Sequence, residues 1–315
     1  MTEPLFLQPV FKERIWGGAA LKDQFHYDIP SDRTGECWGI SGHPNGESIV
    51  KNGTFAGKSL GDLWNTNREL FGNMEGKVFP LLVKILDANA DLSVQVHPDD
   101  TYAEKYENGE LGKTECWYVI DCKEGAEVVY GHTAQTKEEL QKLIEEGQWD
   151  TLLRRVPIKP GDFLFVPSGT IHALCEGSLI LETQQSSDTT YRVYDYDRVD
   201  QNGNKRELHI EKSLEVTTVP HQDPQLEITV EKRQDAEITT FIRGDYFSVY
   251  KWDIAGNFDA KQEEAFMLFS VLEGEGELVV NGQSYPVAKG EHFILPATVN
   301  DFSLAGNLQL IVSHP

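Results

Sequence analysis

The sequence predicts an all-β dominated fold with two similar strand-rich halves and a small helical insertion in the first. Apolar and polar residues alternate along many short segments, which is the pattern of half-buried strands. The strand pattern of the first half of the 315 residues recurs in the second half. The main helical pattern is confined to residues 136–155, which predicts an insertion between strands.

The first third of the chain reads as strands around one short helix. Residues 4–18 contain two prolines and two glycines between apolar residues, and they predict an extended arm docked on the body. Residues 35–50 predict two strands joined by a turn. A helix is predicted over 59–71, where Ser59 can act as the N-cap. The almost wholly apolar run 78–86 predicts a buried strand.

The middle of the chain alternates between polar segments and strands. The polar, aromatic-containing stretch 98–114 is a candidate lid. Thr136 opens a capping-box pattern and predicts a helix to about residue 146, followed by helical turns over 149–155. Strands are expected again at 158–166 and 172–182.

Two domains are predicted, divided near a proline-containing linker at 217–224. Residues 1–222 form the expected catalytic domain, and residues 223–315 form a degenerate domain without a metal. The polar segment 183–212 is either a solvated loop or a wall of the substrate pocket.

The internal repeat has two offsets. Residues 118–131 parallel 269–282 with an offset of 151 positions, whereas 161–167 parallel 290–296 with an offset of 129. The difference fits a helical insertion in the first copy. In this register Glu115 corresponds to Phe266 and His172 to Asp301. Two histidines of the second copy lie outside the ligand positions and are predicted to be surface or loop residues: His292 and His314.

The composition of the chain argues against some classes of function. The formal net charge of −23 argues against binding to nucleic acid or an anionic membrane surface. An anionic substrate would be repelled at long range, so its pocket needs basic residues. The four cysteines lack a Cys-x-x-Cys spacing, which favours reduced thiols in the cytoplasm. Neither a leader pattern nor a run of membrane-spanning length is visible.

Three stretches carry groups that could bind a metal. Alternation over 92–97 places Ser93, Gln95 and His97 on one face of a strand. Lys113 and Glu115 share a face of a second strand. The third stretch, 160–172, is a turn, a short apolar strand and a second turn that ends at His172. Two imidazoles, a carboxylate and an amide oxygen suit a borderline metal such as zinc. Taken singly, each histidine could also be a surface or hydrogen-bonded core residue.

The spacing in the third stretch resembles the second metal motif of the cupin β-barrels. More broadly, the sequence resembles the type I mannose-6-phosphate isomerases, and their shorter bacterial members in particular. The resemblance rests on residues 9–18, 35–44, 92–97, 113–115, 172 and 182–192. It implies two cupin-like jelly-roll barrels and a cytoplasmic enzyme. Larger relatives carry a helical domain between the zinc glutamate and the second zinc histidine, which is reduced here to the small insertion.

The resemblance also implies residue roles. Zinc ligands are expected at His97, Glu115, His172 and Gln95, with one zinc per chain. The family's important arginine falls on Arg192.

The implied reaction moves a proton between C1 and C2 of a sugar phosphate through an enediol. Such a reaction needs a base within hydrogen-bond reach. Glu182 is the first candidate, with a surface or supporting carboxylate as the alternative. The phosphate is expected to bind Ser93, Lys113 and Arg192, because an arginine can grip a phosphate with two hydrogen bonds. Arg192 could instead contact the reacting sugar oxygens. Catalytic roles are thus predicted for Arg192, Glu182 and Lys113.

Two other classes of function fit parts of the pattern. A non-haem iron cupin oxygenase would use the same two histidines and carboxylate with an anionic substrate. A non-enzymatic sugar-phosphate-binding cupin would usually carry a DNA-binding or signalling module, and the sequence shows no such basic pattern.

Overall fold

The computed structural model describes residues 3–199 and 203–315, and β-strands dominate this part of the chain. The strands of the first half are β1 (Leu5–Gln8), β2 (Val10–Gly18), β3 (Thr34–Ser41), β4 (Ile49–Val50), β5 (Leu81–Ala88), β6 (Val94–Val96), β7 (Glu115–Cys122), β8 (Glu127–His132) and β9 (Leu153–Pro157). The later strands are β10 (Phe163–Val166), β11 (His172–Leu174), β12 (Ser178–Gln185), β13 (Tyr191–Tyr194), β14 (Thr229–Arg233), β15 (Ala236–Arg243), β16 (Ser248–Lys261), β17 (Phe266–Val280), β18 (Gln283–Ala288), β19 (His292–Pro296) and β20 (Asp301–His314).

Helices are short and lie between the strands. They are α1 (Ala20–Phe25), α2 (Leu60–Thr66), α3 (Asp100–Tyr106), α4 (Lys137–Glu145), α5 (Trp149–Leu152) and α6 (Ile210–Val216). Over the described residues, none of the helices combines the length and apolar character that a membrane span requires.

In the part of the chain that the structure describes, all strand pairs are antiparallel, and they form three sheets. A nine-stranded sheet has the order β14-β15-β16-β20-β17-β19-β1-β4, with β18 beside β17. A six-stranded sheet runs β10-β7-β12-β5-β3-β2, and a five-stranded sheet runs β13-β6-β11-β8-β9. The predicted β-dominated fold is confirmed. Within the described ranges, strand pairing does not close any of the three sheets on itself, and the nine-stranded sheet branches at β17, which pairs with β18, β19 and β20.

The N-terminal arm is extended, as predicted, and it joins the sheet of the C-terminal strands. Leu5 of β1 lies opposite Ile294 of β19, and β4 pairs with the other side of β1. The division into two domains at residue 222 remains a prediction. The nine-stranded sheet contains two strands that precede residue 222, β1 and β4. Aromatic rings from both sides of residue 222 also pack together: Trp64 and Phe79 contact Phe266 at centroid distances of 6.4 and 5.4 Å. Such rings bury large apolar areas and hold the sheets together.

Several local predictions hold with changed bounds. The α4 helix begins as predicted, because the Thr136 hydroxyl accepts a hydrogen bond from the Glu139 amide. The predicted helix 59–71 splits into α2 and a 3-10 turn over 68–71. Residues 153–155 were expected to be helical but belong to strand β9, which pairs with β8. The candidate lid contains α3, and the segment 183–212 contains β13 and the start of α6, while residues 200–202 lie outside the described part.

The prediction that His292 and His314 are surface or loop residues is wrong. His292 is fully buried in β19, where its ring nitrogens contact the hydroxyls of Ser270 and Tyr27 at 2.8 and 3.0 Å. His314 is also buried and stacks on Tyr250. Polar partners from distant segments of the chain compensate the burial of both rings, because buried polar groups need hydrogen bonds.

Candidate metal centre

Strand ends in two sheets position the metal-ligand candidates. His97 follows the last residue of β6, Glu115 opens β7 and His172 opens β11. Gln95 of β6 lies directly opposite His172 in the sheet. Pro98 and Pro167 cannot donate a backbone hydrogen bond, which favours ending β6 and β10 at these points.

His97, Glu115 and His172 converge in the interior. Their ligand-type atoms all lie within 4.8 Å of one another, and all three side chains are buried. Glu115 Oε1 is 3.3 Å from His172 Nε2, and Glu115 Oε2 is 3.5 Å from His97 Nε2. Across residues 3–199 and 203–315, this is the only such group of three or more histidine, cysteine or carboxylate side chains.

Hydrogen bonds fix the tautomer of both imidazoles. His97 Nδ1 donates to the carbonyl oxygen of Thr189 at 2.8 Å, and His172 Nδ1 donates to that of Thr170 at 2.9 Å. Each Nε2 atom therefore directs a lone pair toward Glu115. Burial, with the nearby charge of Lys113, holds the pKa of His97 well below its usual range and lowers that of His172 to about 4. Two neutral imidazoles and one carboxylate are a donor set that fits a divalent metal.

Lys113 adds a buried cation to this group. Its ammonium donates to Glu115 Oε2 and lies 3.0 Å from His97 Nε2. Burial alone would lower the pKa of Lys113, but the charges of Glu115 and Glu182 raise it above its ordinary value. Lys113 is therefore charged at neutral pH.

Three further side chains lie side by side on adjacent strands of the six-stranded sheet. Glu182 of β12 lies between Lys84 of β5 and Trp117 of β7 in the strand register. Lys84 Nζ is 3.4 Å from Glu182 Oε1, and the Trp117 indole donates to Glu182 Oε2 at 3.1 Å. All three side chains are buried. The carboxylate of Glu182 is thus held by a cation on one side and an N–H donor on the other.

A cavity of about 340 Å³ lies beside the metal-ligand candidates. The five-stranded sheet contributes Arg192 and Gln95, which face each other in register. Arg192 Nε donates to Ser93 Oγ at 3.3 Å, and its Nη1 donates to the carbonyl oxygen of Glu207 at 2.8 Å. Five residues singled out in the sequence line this cavity: Ser93, Gln95, Lys113, Glu182 and Arg192. The structure therefore brings all the sequence-derived candidates into one neighbourhood.

Comparisons with known proteins agree with this geometry. Residues 5–129 match the family model for the catalytic domain of type I phosphomannose isomerase, and residues 237–315 match that for the mannose-6-phosphate isomerase cupin domain. The mannose-6-phosphate isomerase ManA of Bacillus subtilis is 58% identical over 313 residues, which cover 99% of each chain. The chain belongs to the type I mannose-6-phosphate isomerase family.

Further relatives support membership at the level of sequence and structure. The mannose-6-phosphate isomerase of Streptococcus mutans is 53% identical over 316 residues, covering 100% of this chain and 99% of the relative. A crystal structure of the mannose 6-phosphate isomerase from Bacillus subtilis superposes with a TM-score of 0.98 at 58% identity, covering 100% of both chains. The chain is accordingly a mannose-6-phosphate isomerase enzyme with a cupin domain, and this activity implies a sugar-phosphate substrate.

Several charged residues that line the cavity beside the metal-ligand candidates were not singled out from the sequence. They are Arg14, Glu36, Lys84, Asp188 and Arg206. The sequence offered a local indication for Lys84, because a single charged residue in the apolar run 78–86 is unusual for a buried strand. Arg14 reaches the cavity through the pairing of β2 with β3, where it makes two hydrogen bonds to Glu36 at 2.8 and 3.1 Å. No local pattern reveals such a long-range pairing.

Proposed function

We propose that this enzyme interconverts mannose 6-phosphate and fructose 6-phosphate with one zinc ion, through an enediol intermediate. The observation that carries the proposal is the buried cluster of His97, Glu115 and His172 beside a cavity that contains Lys113 and Arg192. The formal charge of −23 makes such local cations necessary for an anionic substrate.

The metal would be held by His97, Glu115 and His172, with Gln95 as a fourth ligand. Gln95 presents its amide nitrogen to His172 Nε2 at 3.2 Å. Rotating the amide by half a turn would exchange nitrogen for Oε1, which is the atom a metal requires. When bound, zinc would supply Lewis-acid stabilisation of negative charge on the carbonyl oxygen of the substrate.

Glu182 is the proposed base. Its carboxylate lines the cavity and would take the proton from C2 of the aldose and return it to C1. Trp117 and Lys84 hold this carboxylate from two sides, so its orientation is set before the substrate binds. Lys113 also lies 4.0 Å from Glu182, and its fixed positive charge would favour negative charge developing nearby.

The phosphate is assigned to the end of the cavity formed by Ser93 and Arg192. The hydroxyl and the guanidinium are already joined by a hydrogen bond, which positions both groups as donors. Arg206 lies on the same wall and adds a second guanidinium, which contributes to a lowered pKa of Arg192 after the larger effect of burial. The alternative role for Arg192 is contact with the reacting sugar oxygens.

A coupled assay tests the proposal. The purified protein should convert mannose 6-phosphate to fructose 6-phosphate, lose this activity after chelation, and regain it with zinc. Metal analysis of the untreated protein should find about one zinc per chain, in line with a single site. Full activity in the metal-free protein, or iron with oxygen consumption instead of zinc, would refute the zinc assignment.

The proposal also places the enzyme in the cytoplasm. All four cysteines are unpaired, and three of them are buried. Unpaired thiols are typical of a reducing compartment. Oxidative pairing of these cysteines in protein isolated from its native cells would contradict this location.

A further inference from the structure

A second cavity lies away from the metal-ligand candidates, in the nine-stranded sheet. Its volume is about 750 Å³, compared with about 340 Å³ for the cavity beside His97. Strands β14, β15, β16, β17 and β20 all contribute to its wall. Ligand pockets for small molecules commonly have volumes of roughly 300 to 1,000 Å³.

The internal repeat relates this cavity to the metal centre. Glu115 opens β7 and corresponds to Phe266, which opens β17; His172 opens β11 and corresponds to Asp301, which opens β20. Asp301 lines the second cavity. Phe266 packs against Trp64 and Phe79 instead, and its neighbour Met267, on the other face of β17, lines the cavity. The second cavity therefore shares one of these two positions with the metal centre. The described side chains around the second cavity do not form a metal-ligand cluster.

Aromatic side chains form the buried wall of the second cavity. Trp252, Phe258 and Phe302 line it and are nearly inaccessible. The Trp252 ring lies parallel to Phe302 at 6.3 Å and edge-on to Phe258 at 5.3 Å. Within the described part of the chain, the indole nitrogen of Trp252 is buried without a hydrogen-bond partner. A buried donor without a hydrogen-bond partner destabilises the folded protein. An oxygen of a ligand at this wall could accept a hydrogen bond from the indole.

Polar groups surround the aromatic wall. His314 Nε2 lies 3.2 Å from the Tyr250 hydroxyl and 3.6 Å from Glu264 Oε1. Carboxylates outnumber cations in the lining, with Glu231, Asp259, Glu263, Glu264 and Asp301 against Arg233, Arg243 and Lys261. The excess of negative charge disfavours a phosphorylated ligand. The three cations offset part of this charge and weaken the attraction for a positively charged ligand.

We propose that this cavity binds a neutral polyhydroxylated ligand, such as an unphosphorylated hexose or short oligosaccharide. The apolar face of a sugar ring would lie against the aromatic wall, and its hydroxyls would bond the carboxylates, the Tyr250 hydroxyl and the Trp252 indole. The site does not depend on the zinc or base assignments made above. It would allow an unphosphorylated sugar and a sugar phosphate to bind one chain at separate places.

Calorimetric titration of the full-length, metal-loaded protein with D-mannose and with mannobiose tests this inference. The catalytic cavity is kept saturated by an equilibrium mixture of mannose 6-phosphate and fructose 6-phosphate. At least one sugar should still bind, and Trp252→Phe should weaken this binding about tenfold, the loss expected for one buried polar contact. Glu264→Gln should weaken it about threefold, because a hydrogen bond to a solvated carboxylate contributes less. Glu264 is exposed, so Glu264→Gln should fold even if Trp252→Phe does not.

The matched control is Glu145→Gln, which changes an exposed carboxylate on α4 and should leave sugar binding unchanged. Isomerase activity should be unaffected by Glu264→Gln. The inference is overturned if neither sugar binds at millimolar concentration, if the sugar phosphates displace the bound sugar, or if both cavity variants bind it as the unaltered protein does.

Discussion

The indole N–H of Trp117 lies 3.1 Å from Glu115 Oε1, and it lies equally close to Glu182 Oε2. One donor therefore connects the carboxylate of the metal-ligand cluster with the proposed base. Two buried carboxylates repel each other unless nearby donors and cations compensate. Trp117 does this together with Lys113, which contacts Glu115 and lies 4.0 Å from Glu182.

Trp117→Phe should weaken metal binding and slow turnover while the protein stays folded. Phenylalanine keeps an aromatic ring but lacks the N–H that orients Glu115. Loss of a group that orients a metal ligand typically costs about 10–100-fold in metal affinity or activity. Competition with a chelator measures the affinity, and excess zinc should restore part of the activity. Trp149→Phe, which changes a ring stacked on Tyr194, is the matched control. Unchanged affinity and turnover would show that this N–H has no such role.

His97→Ala should abolish both metal binding and turnover. The substitution removes one of three convergent ligand atoms and leaves Glu115 without the imidazole 3.5 Å away. Elemental analysis and the coupled assay measure the two effects. His221→Ala provides a control, because this ring pairs with Asp223 in the predicted linker. Retention of one zinc per chain in His97→Ala would mean that the ligand assignment is wrong.

Arg192→Ala should separate catalysis from metal binding. Arg192 lines the cavity but is not among the three clustered ligand residues, so zinc content should stay normal. Turnover should fall by at least about 10²-fold, as expected when a charged donor to the reacting substrate is removed. Arg154→Ala removes a surface ion pair with Asp223 and should change neither quantity. A near-normal rate in Arg192→Ala would exclude this residue from the mechanism.

The sequence was most informative where a local residue pattern also determines the position of a candidate site residue. Period-two alternation put Gln95 and His97 on one strand face, and in the structure Gln95 faces His172 across the sheet. Long-range strand pairing limited the prediction. The arm at 4–18 was predicted to dock on the body, but its pairing with β19, nearly 290 positions away, leaves no local signal.

Burial was harder to predict than position. The repeat predicted that His292 lies outside the ligand positions, but it gave no information on the surroundings of the ring. Those surroundings include Tyr27, 265 positions earlier in the chain, whose hydroxyl lies 3.0 Å from His292 Nε2. A buried histidine can be recognised only after such distant partners are known.

The buried ring of His292 should make stability depend on pH. Burial, with a smaller effect of Lys51, lowers its pKa to about 3 in the folded protein, while the unfolded chain keeps a value near 6.5. Between these values only the unfolded chain binds the proton, so the free energy of unfolding decreases as the pH falls through this window. From about pH 7.5 to about pH 5 the contribution of His292 should fall by about 2 kcal/mol.

Urea unfolding of the unaltered protein and His292→Gln at both pH values measures this contribution. Glutamine cannot take up the proton, so the stability difference between the two proteins should shrink on acidification. A difference that stays constant or grows would contradict the assignment of this pH dependence to His292.

Gly39→Ala should destabilise the protein because of the same ring. A Cβ atom at Gly39 would lie 2.5 to 2.6 Å from three atoms of the His292 ring, closer than real Cβ contacts allow. The ring is fully buried and held by Ser270 and Tyr27, so it has little freedom to move away. Overpacking of this kind typically costs about 1–3 kcal/mol, which a lower urea midpoint with an unchanged slope would measure. The matched control is Gly46→Ala, whose nearest neighbours at 3.2 Å belong to the flexible end of Lys12. Equal midpoints for the two variants would mean that β3 and β19 separate at little cost, contrary to the packing described here.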